Sequence, residues 1–410
     1  MDLAEVWCSN IDSNTQSVNM MLDMSCAFDL VSHDTLLEKM KIYKYDTNSI
    51  KLMKSYLSFR SQYVDICGEK SEFLWNKHGV PQGSIMGPFL FSLYVNELSA
   101  ILNYECDHNE KVKWNDNIFG EDCSKCGVMV TFADDCTIIL ESMKHNSDIT
   151  SSKLDKILNS LEIFLKENNL KLNKSKTNLI RTTTSQQLTK NRCEKIKLST
   201  LDSKNKPIVP KNAVKLLGLV ISSNLTWSQH LEIGKEAIFT QCKKRLGALK
   251  FVCKNASLHT KKRLANACIM SRLLYCITVW GVLGRKNIVK RAQVVQNLTM
   301  CWVLNKPRWT KTMELLESLE WLSIYQLTIY HTLLTIWNIF KYKTPARCLA
   351  ALERGSEKQG RISLTDRIWS IKIQAIFWSM DEYLRKETIA SKFKTGLKRW
   401  IKRNIPLEEI

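Results

Sequence analysis

From Ala237 through Met313 the chain contains no aspartate or glutamate, yet these 77 residues hold 16 lysines and arginines, out of a net charge of +20 over 410 residues. Solvated helix faces ordinarily mix both signs, because oppositely charged side chains four residues apart stabilise one another. A block of a single sign forgoes that pairing and needs another source of order. Apolar residues supply it at helical spacing: Leu246, Leu249, Phe251 and Val252, then Leu264, Ala267, Cys268, Leu273 and Leu274. The block therefore predicts packed helices with a basic outer surface rather than a disordered arm. Such a surface is suited to lie along a polyanion. Lys243, Lys244, Arg245, Lys261, Lys262 and Arg263 are the densest candidates for phosphate contact.

Composition narrows the fold class. Apolar residues at 44% and charged residues at 24% exclude a mostly disordered chain. Only 14 glycines and 7 prolines argue against a turn-dense all-β fold and for long helices. The acidic start (Met1-Asp2-Leu3-Ala4-Glu5) has no basic or apolar leader, and the longest charge-free apolar stretch, Ser323 to Phe340, is diluted by polar side chains. Fourteen cysteines are scattered without a dense framework, as suits reduced thiols. The expectation is an intracellular protein of the nucleus or cytoplasm, neither secreted nor membrane-bound.

Along the chain, Val18–Leu22 reads as a strand ending at Asp23, and 34–43 and 50–57 read as helices. Tyr63–Ile66 and Phe73–Trp75 read as paired short strands around Gly68, and Pro88–Leu102 as an apolar helix. Val128–Phe132 and Cys136–Leu140 flank Ala133-Asp134-Asp135 like a hairpin without the usual glycine. Residues 149–168 predict an amphipathic helix, 178–181 a strand, and Lys195–Leu198 with Val214–Ser222 a later hairpin whose loop holds Pro207 and Pro210. The remainder is helical, with Pro307 and Pro345 as breaks. The fold class is α+β followed by helix.

Two acidic clusters fall at strand ends: Leu22-Asp23-Met24-Ser25-Cys26-Ala27-Phe28-Asp29, and Thr131-Phe132-Ala133-Asp134-Asp135. Carboxylates near a core are costly unless a cation offsets them. If the two strands are neighbours, Asp23 and Asp134 would share two Mg²⁺ ions, one activating a hydroxyl and one stabilising a leaving pyrophosphate. Taken singly, each cluster also reads as turn aspartates on a solvated surface.

Between them lies Gly79-Val80-Pro81-Gln82-Gly83-Ser84-Ile85-Met86-Gly87-Pro88. With this third block, residues 18–228 resemble the polymerase palm of reverse transcriptases, specifically those of non-LTR (LINE-type) retrotransposons. The motifs follow the family's order: "LDMSCAFD", "GVPQGSIMGP", "FADD", "NLKLNKSKT" and "KLLGLVISSNLTW". More loosely, "KKRLGALK" and "SRLLYCITVWG" resemble the thumb region of that family.

The resemblance implies an RNA-directed DNA polymerase that uses two Mg²⁺ or Mn²⁺ ions, an RNA template, a DNA primer and dNTPs. It implies that Asp23 and Asp134 hold metal and that Asp135 completes the catalytic pair. Phe28 would exclude a ribose 2′-hydroxyl, Gln82 and Gly83 would approach the incoming nucleotide, and Lys176 would protonate pyrophosphate. The hairpin from Leu216 to Trp227 would grip the primer. The implied organisation is a right-hand palm over 1–185 with fingers largely missing, a primer-grip-like segment over 186–228, a basic thumb-like region over 229–345 and a helical tail over 346–410.

Two departures qualify it. Only 22 residues, none of them basic, precede Asp23 where the family carries fingers. The expectation is a front-truncated chain, either active with fingers or endonuclease supplied by a partner, or an inactive remnant that binds nucleic acid. The insertion at 103–127 places Cys106 and His108 fourteen residues before Cys123 and Cys126. These four suit a tetrahedral structural Zn²⁺, though the one-residue gap is short for a finger, and ordinary loop thiols are the competing reading.

Overall fold

Gln16–Asp23 (QSVNMMLD), with Val18, Met20, Met21 and Leu22 as its apolar residues, forms β1 in the computed structural model, buried until Asp23, which is half-exposed. The structure describes residues 16–99, 128–142, 147–183, 210–283, 286–344 and 376–405, with short stretches at 3–4, 6–7, 10, 348–350 and 352. Two compact units emerge: Thr15–Arg181 with Gln186–Asn212, and Ala213–Ile410 with Met1–Asn14 and Thr182–Ser185.

The first unit is α+β. Helices α1 (His33–Ile42) and α2 (Thr47–Leu57) follow β1, each begun by a side-chain cap. Ser32 Oγ accepts from the Thr35 amide at 3.3 Å, and Asp46 Oδ1 accepts from those of Asn48 and Ser49 at 2.9 and 3.0 Å. The Gly68 region forms two nested ladders: β2 (Ser61–Gln62) pairs with β5 (Leu74–Trp75), and β3 (Asp65–Ile66) with β4 (Glu69–Lys70). Helix α3 (Met86–Tyr94) is shorter than the apolar run suggested. Polar Asn96 and Glu97 divert the chain into a 3-10 turn over Asn96–Ser99. There Glu97 takes an ion pair from Lys39 Nζ at 2.5 Å, and the same buried ammonium donates to the Tyr94 carbonyl at 2.7 Å.

Strands β6 (Val128–Phe132) and β7 (Asp135–Ser142), helix α4 (Ser147–Glu167) and strand β8 (Asn178–Thr182) complete the unit. The sheet order is β6-β7-β1-β8, so β1 is interior. Val18, Met20 and Leu22 share a core with Leu36, Leu90, Phe91, Tyr94, Leu158 and Leu161. The alternate residues Ser17 and Asn19 are buried too, and the Asn19 amide donates to the Ile180 carbonyl of β8 at 3.1 Å. The strand is thus enclosed on both faces, its polar Ser17 and Asn19 included.

The second unit is helical apart from the hairpin of β9 (Ala213–Leu216) and β10 (Leu219–Ser222), turned through Leu217 and Gly218 at positive φ, so the run expected as one strand over 214–222 folds back on itself there, and its expected partner 195–198 lies outside the described residues. Among its helices are α5 (Ser228–Leu231), α6 (Ile238–Val252) and α7 (Leu258–Ala265), the last leading into a π-helical turn at Asn266–Met270 and a short α8 (Ser271–Leu273). Then come α9 (Ile277–Leu283), α10 (Lys286–Leu304), α11 (Thr312–Leu319) and α12 (Ile324–Tyr342), with α13 (Glu382–Arg385) and α14 (Ala390–Asn404) later in the chain. Trp227, Trp280, Leu273, Leu315, Leu333 and Phe393 lie in one core. Among the described residues no helix is long and apolar enough to cross a membrane.

Candidate active site

β1 and β7 run antiparallel, and their register sets Asp23 directly opposite Asp135. On the other side of β7, Phe132 of β6 pairs with the same Asp135, which leaves Ala133 and Asp134 as the two-residue bend. Ala133 adopts φ +53°, a left-handed conformation that costs a residue bearing a Cβ roughly 1–2 kcal/mol. All three aspartates are half-exposed, so they stay open to solvent at the rim of the buried sheet. Burial raises the Asp135 carboxyl above the usual carboxylate range, and the negative charges of Asp134 and Asp23 push the same way. The next residue, Cys136, is a core thiol pushed up to about 12, by burial first and then by Asp135, and is no nucleophile.

The segment 171–177 closes over the end of β1. The Ser25 amide donates to the Lys171 carbonyl and the Asn173 amide to the Asp23 carbonyl, both at 2.8 Å. Asn173 Oδ1 accepts from Ser175 Oγ at 2.7 Å and from the Lys176 amide at 3.3 Å, an Asx turn that aims the following lysine. Lys176 Nζ then stands 3.6 Å from Asp23 Oδ2, its side chain 69% exposed and free to swing to another anion.

The glycine-rich loop is bound to the other side of the Asp23 block. The Val80 amide donates to the Phe28 carbonyl and the Gly79 amide to the Val31 carbonyl, both at 2.8 Å. Gly79 is at φ +88°, and a Cβ there would sit 3.0 Å from Asp29 Cα, so only glycine lets the loop come this close. His33 Nε2 donates to the Gly79 carbonyl at 2.8 Å. Gln82 is exposed, and its Nε2 donates to Asp29 Oδ1 at 2.9 Å. Gly83 is also exposed, at φ +78°, with open space where a side chain would be. Phe28 is half-buried and stacks on Phe91 of α3, ring centroids 4.7 Å apart. The first unit thus brings Asp23, Asp134, Asp135 and Lys176 together at one sheet end, with Phe28 and Gln82 tied to the same block through residues 28–31.

Asp29, Asn173 and His33 have positional parts that the motif reading did not assign. Asp29 closes the quoted "LDMSCAFD" block and Asn173 opens an Asn-x-Ser-Lys turn, so both were signalled locally. His33 is visible only in three dimensions.

The donors fit a hard divalent cation: carboxylate oxygens whose like charges are offset by a single lysine ammonium at 3.6 Å. Among the described residues no three acidic, histidine or cysteine side chains are grouped closely enough to hold an ion as they stand. Cys106, His108, Cys123 and Cys126 lie outside the described residues.

In the second unit Lys243, Lys244, Arg245 and Arg263 are exposed. Lys262 is half-buried and donates to the Leu319 carbonyl at 2.8 Å. Lys261 is turned inward, 3% exposed, and donates to Asn305 Oδ1 at 2.8 Å.

Residues 7–221 match the family model of reverse transcriptase (RNA-dependent DNA polymerase), more than half of the chain. The chain belongs to the reverse transcriptase family. The matched span contains every aspartate of the site and Lys176. The resemblance to LINE-type enzymes is borne out by relatives from mobile elements. The protein named "Probable RNA-directed DNA polymerase from transposon BS" of Drosophila melanogaster is 26% identical over 76% of this chain and 32% of its own length. The RNA-directed DNA polymerase from mobile element jockey, of the same fly, is 24% identical over 76% of this chain and 31% of its own. The chain thus spans about a third of the length of these curated relatives. Among solved structures, a telomerase from Candida albicans with a telomeric RNA fragment is 14% identical, covering 98% of this chain and 54% of that one, at a TM-score of 0.43.

Proposed function

We propose that this chain is an RNA-directed DNA polymerase, extending a primer 3′-hydroxyl with dNTPs along an RNA template. The reading is carried by the antiparallel register that puts Asp23 opposite Asp135, with Asp134 in the adjoining bend. Asp23 and Asp134 would hold two Mg²⁺ or Mn²⁺ ions, which supply charge stabilisation at the attacking and leaving oxygens of an in-line displacement. Asp135, opposite Asp23, orients the cluster and adds negative charge that favours cation binding. Lys176, positioned by the Asn173 turn, donates a proton to the departing pyrophosphate. Phe28, held by its stack on Phe91, presents an aromatic edge that a ribose 2′-hydroxyl would meet. Gln82 and Gly83 offer an amide and bare backbone to the nucleotide and template.

In this reading the α+β unit is a polymerase palm, the β9–β10 hairpin acts at the primer, and the basic helices beyond it form a thumb. Lys243, Lys244, Arg245 and Arg263 contact duplex phosphates, with Lys261 serving the interior instead. The test is primer extension on an RNA template with dNTPs and Mg²⁺ or Mn²⁺, wild type against Asp134→Ala. Synthesis that the substitution abolishes is the expected result. No aspartate-dependent synthesis with either metal, alongside intact template–primer binding, would instead make the chain a nucleic-acid-binding relative without catalysis.

A further inference from the structure

The last described helix, α14, divides cleanly into two halves. Phe393, Leu397 and Ile401, at every fourth residue, are fully buried in the core of the second unit. Phe393 stacks on Trp337 of α12, centroids 4.6 Å apart and planes within 10°. Gly396 is pressed against Leu384 of α13, where a Cβ would lie 2.6 Å from Leu384 Cδ1. Gln326 of α12 donates to the Ile405 carbonyl at 2.9 Å and so ties down the helix's end. The helix is an integral part of the unit rather than a loose tail.

Its other half is cationic. Lys392, Lys394, Lys398, Arg399, Lys402 and Arg403 are all exposed, and the helix contains no acidic residue. Among the described residues none of the six makes an ion pair. At 100° per residue they sweep the arc opposite the buried stripe. The Lys398 ammonium is held below the usual lysine range, by burial first, then by Lys402 and also by Lys262, with Glu320 opposing. Lys262, whose charge bears on Lys398, belongs to the acid-free block of the same unit.

We propose that the outer face of α14 is a second nucleic-acid contact, which binds the phosphodiester backbone independently of the catalytic carboxylates. A basic amphipathic helix that embeds in an anionic membrane does so by inserting its apolar face. Here that face is already spent on Trp337 and the surrounding core. Phosphates need only the exposed half.

The experiment uses the full chain, a fluorescently labelled RNA–DNA hybrid and a single-stranded RNA, with neither nucleotide nor divalent ion, so failure of polymerisation has no bearing on it. Binding is followed by anisotropy from about 50 to 200 mM salt, the range over which phosphate contacts dominate. Replacing Lys398, Arg399, Lys402 and Arg403 together by Gln should lower the slope of log affinity against log salt by at least about 2, and weaken binding about tenfold or more at the lower salt. The four-arginine version should keep both the slope and the affinity, and circular dichroism should show the same helix content for each. An unchanged slope in the Gln variant on both nucleic acids would overturn the proposal. So would loss of binding to phosphatidylserine vesicles in that variant while nucleic-acid binding stays intact.

Discussion

Lys176 Nζ stands 3.6 Å from Asp23 Oδ2, the only cation among the described residues to form an ion pair with an aspartate of the β1–β7 rim. The pair is loose, exposed and easily broken, so it contributes little to folding. In the proposed reaction its value lies in where it leaves a proton donor.

Replacing Lys176 by Gln should therefore spare structure and template–primer affinity while slowing the chemical step about 100-fold, the lower range for loss of a general acid. Single-turnover extension at saturating dNTP separates the two. Equal losses in binding and rate would show that Lys176 positions substrate rather than protonating it.

Asp135 carries a prediction whose sign follows from its raised pKa. A carboxyl raised in the folded state prefers its proton there, so its charge costs stability above that pKa, and the cost disappears as pH falls below the ordinary carboxylate range. In chelator, Asp135→Asn should melt at a higher temperature than wild type at neutral pH, and the two curves should converge on acidification. Millimolar Mg²⁺ at neutral pH should also narrow the gap.

Gly79 and Gly83 look alike in sequence and differ in space. Gly79→Ala must accommodate both φ +88° and a contact at 3.0 Å with the Asp29 backbone, whereas Gly83→Ala meets only the strain of φ +78°. The former should lose about 2–3 kcal/mol and the latter about 1 kcal/mol, judged by shifts in denaturant midpoint. A Gly79→Ala variant as stable as wild type would mean that the loop relaxes away from Asp29.

In the helical unit, buried His230 is held neutral, its pKa lowered to about 4 by burial and then by Arg272. Its Nδ1 accepts from the Val220 amide at 3.3 Å, a role protonation would end. The unfolded chain takes up the proton near pH 6.5 and the folded one near 4, so stability should fall as pH drops through that window. His230→Asn retains an acceptor without a titrating ring. It should flatten the decline when melting is followed over the same range.

The local structure around the candidate site that the sequence anticipates is set by local rules. A β-rich run stops at Asp23, a hairpin bends at Ala133-Asp134, and glycines mark a loop that must bend sharply. Which carboxylate faces which is a register between strands more than 100 residues apart, and no local pattern fixes it. Buried lysines are hidden from sequence for a different reason. Lys39 and Lys261 sit on helices where a cation normally means solvent, yet both are buried on partners distant in sequence, Glu97 and Asn305. The amphipathic division of α14 was legible in its spacing but passed as a tail, because only packing against Trp337 shows which half is committed.

The enclosure of β1 on both faces has an evolutionary corollary. No hinge separates the core from Asp23, so a substitution that loosens Met20 or Leu22 also moves the carboxylate, and folding defects and catalytic defects at this strand would be inherited together. Adaptive change in such a protein is channelled elsewhere, to exposed positions such as the outer surface of α14, where residues can vary without disturbing the sheet.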